Sequence, residues 1–199
     1  MRRCRRKTLR RCVDAVYAHV PSSQRAKHAA AIKKLHALGA RVGVSTPQWI
    51  ELGPEFKGND QDLTALTDVV GLASIAVDGA PIDGTGLEHL ADTDGLKHVT
   101  CTKLRLKPST LRWLATLPAL RELMLDGVAG TNDYTDDDLQ HLAGLNVPRL
   151  LLHGAKITDA GVEHLKHLGK VEQIRFWHTN VTPAAASALR SRSQVNFHP

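Results

Sequence analysis

The chain has 199 residues and a formal charge of +6; the length suits one domain, and no stretch approaches the roughly 18 consecutive apolar residues of a membrane span. Seven basic and no acidic residues fall in the first twelve positions (Arg2, Arg3, Arg5, Arg6, Lys7, Arg10 and Arg11), so the positive excess belongs to a tail and the remainder is nearly neutral. Cys4, Cys12 and Cys101 form an odd set without metal-ligand spacing, which points to a reduced, cytoplasmic setting.

Residues 1–12 read as a basic tail, able to attract nucleic acid or an anionic membrane surface by charge alone. The basic residues run directly into the helix-like Leu9, Val13, Val16, Tyr17 and Val20, without the continuous apolar segment of a secretory signal. Ser23 to Leu38 predicts a helix with a serine start, with Ala31, Ile32, Leu35 and Leu38 on one face and Gly39 at its end. Residues 13–41 are therefore expected to form a helical N-terminal cap, and residues 42–199 the body it covers.

The body is repetitive. Residues 72–95 (LASIAVDGAPIDGTGLEHLADTDG) and 96–119 (LKHVTCTKLRLKPSTLRWLATLPA) are equal in length, residues 147–170 (VPRLLLHGAKITDAGVEHLKHLGK) match them, and VEQIRFWHTNVTPAAASALR follows in the same register. Residues 120–146 carry the pattern lengthened at GVAGTNDY. Each unit switches from a period near two, as in Val147, Leu150 and Leu152, to a helical period, as in Val162, Leu165 and Leu168, which predicts a strand, a turn and a helix. Thr135, Thr158 and Thr182 precede the helices, with Asp83 in the same slot. Such side chains accept a hydrogen bond from the first helical turn, worth about 0.5–2 kcal/mol. Lys107 before Pro108 cannot, so a weaker or less regular helix is expected there. Val195 and Phe197 alternate like a final strand closed by Pro199.

This pattern resembles the leucine-rich-repeat family. LKHVTCTKLRL and VPRLLLHGAKITDAGVEHLKHL are similar to its LxxLxLxxTxITDAGLxxL variant, abundant in large bacterial proteomes, over about residues 72–199 and less closely from Trp49. The resemblance implies an α/β right-handed solenoid, with a parallel sheet on the concave side, helices on the convex side and capped ends.

Side chains between the buried leucines point to the opposite side of each strand. Across units they form three columns: Ser74, His98, Glu122, Arg149, Gln173; then Ala76, Thr100, Met124, Leu151, Arg175; then Asp78, Thr102, Asp126, His153, Trp177. Met124, Asp126, Arg149, Leu151, His153, Arg175 and Trp177 make the candidate partner-binding surface, because Arg, Trp and Met are enriched at interfaces. The insertion GVAGTND extends it.

Asp126 beside His153 forms part of a hydrolase constellation, but Thr102 and Trp177 occupy the neighbouring places and no GxSxG turn is present, so a surface ion pair is expected. His89, His141 and His164 recur at one helical slot, and His164 shares a helical surface with His167. No cysteine or carboxylate cluster completes a metal shell around them. Asp133, Asp136, Asp137 and Asp138 gather at a helix start, where the dipole favours acids, without the loop spacing of a calcium hand. Phosphate-binding glycine loops and aromatic stacking platforms are missing. The sequence thus leads to a non-catalytic cytoplasmic scaffold for a protein partner, without cofactor, metal or small-molecule substrate. The alternative is a nucleic-acid or anionic-membrane adaptor working through residues 1–12.

Overall fold

The computed structural model describes residues 20–43, 48–90, 95–127, 134–154, 156–190 and 193–198. Eight strands lie in one sheet in the order in which they occur in the chain: β1 (Arg41–Gly43), β2 (Gln48–Leu52), β3 (Leu72–Asp78), β4 (His98–Thr102), β5 (Glu122–Asp126), β6 (Val147–His153), β7 (Val171–Trp177) and β8 (Gln194–His198). From β2 to β8 every neighbouring pair is parallel. The expectation of a wholly parallel sheet fails at one edge, where β1 runs antiparallel to β2. The link between these two strands is short, and a parallel pair needs a crossover of about a dozen residues or more.

The parallel connections carry the helices. Asp60–Asp68 and Thr85–Leu90 are 3₁₀-helices, Pro108–Leu114 and Asp159–Leu165 are α-helices, and Asp136–Leu139 and Pro183–Ala186 are single α-turns that tighten into 3₁₀ at Gln140–Leu142 and Ser187–Leu189. The predicted strand, turn and helix thus recur, with 3₁₀ geometry where few residues must complete a turn. Helices of successive connections touch one another. Burial alternates along the strands, and Ile75, Val77, Val99, Leu123, Leu125, Leu150, Leu152, Ile174 and Phe176 join Leu87, Leu111, Leu139, Val162 and Leu189 in one continuous core. Cys101 takes its strand position in that core, and burial pushes its thiol up to about 12.

The first helix is Arg25–Ala37, and its serine start is not found. The N-cap is Gln24, and the Pro21 carbonyl accepts the amides of Gln24 and Arg25, so Ser23 lies inside the turn that precedes the helix. The other end behaves as expected: Gly39 adopts φ +93°, its amide donates to His36 and that of Ala40 to Leu35, a paired closure that satisfies the last carbonyls. On the buried face of this helix, His28 Nδ1 accepts the Val70 amide at 3.1 Å, and the Gln48 carboxamide lies 3.4 Å from Nε2.

The weak helix expected after Lys107 is also corrected. Pro108–Leu114 is α-helical throughout, and no side chain caps it. Proline has no amide to orphan and its φ is already helical, while Lys107 Nζ turns instead to Asp83 Oδ2, 2.5 Å away in the preceding unit.

No described helix is long and apolar enough to cross a membrane. The basic residues 1–12, the segment Val13 to Tyr17, the insertion residues 128–133 and Pro199 lie outside the described residues.

Candidate binding face

The three columns read from the sequence coincide with the strand register. Ser74, His98, Glu122, Arg149 and Gln173 are successive partners. So are Ala76, Thr100, Met124, Leu151 and Arg175, and so are Asp78, Thr102, Asp126, His153 and Trp177. The columns also extend: Trp49 and Glu51 precede them on β2, and Gln194, Asn196 and His198 follow on β8. All seven candidate residues therefore stand on three adjacent strands, β5 to β7, on the face opposite the core. Trp49, 41% exposed, lies at the far end of that face, against the backbone of Gly43.

Charges in this patch are partly neutralised. Arg149 pairs with Glu122 at 2.8 Å, and Asp126 Oδ1 lies 2.5 Å from His153 Nδ1, at ion-pair distance without hydrogen-bond alignment. Arg175 takes part in none of the ion pairs among the described residues, and its register partners are Leu151 and Asn196. Trp177 presents its ring edge-on to His153, with centroids 6.5 Å apart. The register neighbours of the Asp126–His153 pair are Thr102 and Trp177. Among the described residues no three His, Cys, Asp or Glu side chains gather as a metal shell. His141 of the helical ladder instead meets Arg112 at 2.9 Å.

Two devices hold the columns in line. First, the residue after each strand donates its amide to the third-column carbonyl of the next unit: Gly79 to Thr102, Lys103 to Asp126, Gly127 to His153 and Gly154 to Trp177. Three residues of this slot adopt left-handed backbone, with φ +64° at Gly79, +54° at Lys103 and +47° at His178. Left-handed backbone costs a residue with a Cβ about 1–2 kcal/mol. His178 accepts that strain beside the candidate patch, with its ring centroid 5.0 Å from that of His153. The sequence columns stop one residue short of His178; the signal was a histidine where Gly79, Gly127 and Gly154 stand in other units.

Second, an aspartate at the start of one helix holds the cap of the next unit. Asp136 accepts the Thr158 amide at 2.8 Å and its hydroxyl at 2.7 Å, and Asp159 accepts the same two groups of Thr182 at 2.6 and 2.9 Å. Asp60 does the corresponding work for the amides of Asp83 and Gly86. Thr158 and Thr182 then cap their own helices by accepting from Ala160 and Ala185, as expected. Close approach explains the glycine of the ITDAG run, since a Cβ on Gly161 would stand 2.4 Å from Asp136 Oδ1.

Thr135 holds the N-cap as expected, in a capping box with Asp138. Its hydroxyl and amide both donate to Asp138, a carboxylate only 4% exposed in the slot that Gly161 fills elsewhere. Arg105 of the previous unit closes on that carboxylate with two bonds of 3.0 Å, and Asp138 in turn raises the Arg105 pKa. No protein-family model matches the chain, and comparison with curated proteins finds no match.

Proposed function

We propose that the chain is a leucine-rich-repeat solenoid and acts as a non-catalytic scaffold, holding a protein partner on the open face of its C-terminal units. One observation carries this reading: Met124, Leu151, Arg175 and Trp177 sit at adjoining register positions on β5 to β7, around an arginine with no described acidic mate. Such a mixture suits an interface anchor, in which a few aromatic and arginine side chains supply most of the binding energy. The strained His178 supports it, because backbone strain kept beside a surface patch is a mark of function. A role without catalysis fits the Asp126–His153 pair, whose flanking positions hold Thr102 and Trp177 and no activated nucleophile. The same repeat resemblance and the cysteine usage support a bacterial cytoplasmic setting for this reading.

The test is comparative capture from a native extract, with the full chain as bait. Proteins held by the unaltered chain and lost with Arg175→Ala/Trp177→Ala, but kept by the helical-side control Arg112→Ala/Lys166→Ala, are the expected result. Equal capture by both double variants refutes this face. Loss only on removal of residues 1–12, with steep weakening as salt rises, transfers the function to the basic tail and its nucleic-acid or membrane alternative.

A further inference from the structure

The open face is not the only place where this sheet offers a surface. Where the strands begin, β6 starts earlier than its neighbour: the β6–β7 ladder opens at Val147 and Val171, but the β5–β6 ladder only at Glu122 and Arg149. Pro148 has no amide to donate. The lead-in to β5 is drawn the other way, because the amides of Arg121 and Glu122 both donate to the Lys97 carbonyl, at 2.7 and 3.0 Å. The Arg149 amide still donates to the Arg121 carbonyl at 3.1 Å, so the strands separate only before that bond, where a groove of about 370 Å³ lies.

The groove is lined by both apolar and cationic side chains. Pro118 and Pro148 line it together with Lys97, Arg121 and Lys170, and Glu172 is its one acid. None of the three cations takes part in an ion pair among the described residues, whereas other bases of the fold, such as Arg149, Arg105 and Lys107, are matched to acids. Like charges left unmatched around one concavity raise its potential and attract a counter-charged occupant.

We infer that this groove docks an acidic, extended peptide segment of a protein partner, a site separate from the open face proposed above. Carboxylates of the segment meet Lys97, Arg121 and Lys170, and its small apolar side chains lie along Pro118 and Pro148. The lining decides between polyanions: a single-stranded nucleic acid needs aromatic platforms for its bases, and no aromatic side chain lines the groove.

The experiment is fluorescence anisotropy with a labelled peptide of alternating Glu and Ala, eight residues long, titrated with the full chain. The triple variant Lys97→Gln/Arg121→Gln/Lys170→Gln is compared with a control of equal charge change on exposed lysines elsewhere, Lys27→Gln/Lys33→Gln/Lys57→Gln. The basic tail is present in every protein and adds the same background to each titration, so the groove is read from the affinity lost beyond that background. Three exposed ionic contacts together give about a tenfold loss in the groove variant, against less than twofold in the control, with unchanged circular dichroism. Glu172→Gln tightens binding about twofold. Absence of binding, or equal losses in groove and control variants, overturns the inference. So does a dT8 oligonucleotide or inorganic phosphate that displaces the peptide at its own concentration. Because Arg175 and Trp177 are untouched throughout, failure here leaves the open-face reading standing, and the reverse also holds.

Discussion

Asp136→Ala tests how neighbouring units are locked together. The Asp136 carboxylate accepts two bonds from Thr158, at 2.8 and 2.7 Å, and the same Thr158 hydroxyl oxygen accepts the Ala160 amide at 3.2 Å, so removing Asp136 also loosens the cap of the following helix. Hydrogen bonds to a charged group contribute about 1.5–3 kcal/mol each. The site is half-buried, so the lower figure applies and the two bonds together give about 3 kcal/mol. Alanine is the better helix former and returns about 0.5 kcal/mol. The net loss is about 2.5 kcal/mol, which for a chain of this size lowers Tm by about 5–10 °C. The control is Asp137→Ala, which removes the same charge from the same first helical turn at an exposed position. Urea unfolding followed by circular dichroism gives the difference, and Asp136→Asn, which keeps one acceptor oxygen, falls between. Equal midpoints for Asp136→Ala and Asp137→Ala refute the interlock and reduce the aspartate to a helix-dipole effect.

Two glycine substitutions have opposite signs: Gly161→Ala destabilises by about 1–3 kcal/mol as in overpacked sites, because its Cβ meets Asp136 Oδ1 at 2.4 Å and Leu139 at 3.0 Å. Gly53→Ala, with nothing within 4 Å, stabilises by about 0.4–1 kcal/mol, and urea midpoints of the same sign contradict this packing. Lys103→Gly and His178→Gly each stabilise by about 1 kcal/mol through relief of left-handed strain, but only His178→Gly weakens partner capture; a loss of stability in both refutes the account of the slot. Acid titration tests Asp83: burial opposes its ionisation, but Lys107 and the two Thr85 donors outweigh burial and bring the carboxyl from 3.8 to about 2. A lowered folded pKa contributes stability that is complete above about pH 4 and is lost as pH falls toward 2. Lys107→Gln therefore flattens the acid limb of the urea-midpoint curve in that window, and parallel curves for variant and parent rule the coupling out.

Much of the fold was readable because the apolar positions recur at a fixed spacing. A constant period forces equivalent residues of successive units to the same height on the sheet, so the three columns followed from counting alone, and the pairings Met124 with Leu151 and Asp126 with His153 came out as read. What escaped depended on contacts between units. Asp136 was read as an acid favoured by a helix start, whereas its oxygens, like those of Asp159, serve the next unit's threonine, a partner more than twenty residues on. Lys107 was judged by the cap it cannot make, without the carboxylate of Asp83 that receives it. Ser23 failed as a cap because Pro21 begins the turn before it. The groove at the strand starts depends on an offset between β5 and β6 that no single unit displays.

Conformity to the repeat and departure from it have different physical roles in this chain. Where the pattern is kept, as at Thr158 with Asp159 or at Gly154, each group completes a bond to its neighbour and leaves nothing over. Where it is broken, a local rule is violated and a group is left outside the ladder: His178 holds a backbone that glycine adopts more easily, Pro148 withholds an amide, and Arg121 faces a groove without an acid of its own. Violations of local consistency persist only when something else offsets them. Both proposed surfaces adjoin such breaks, the face beside His178 and the groove beside Pro148. A restored glycine at the first break should therefore trade binding for stability, while the cations at the second can be neutralised with the fold intact.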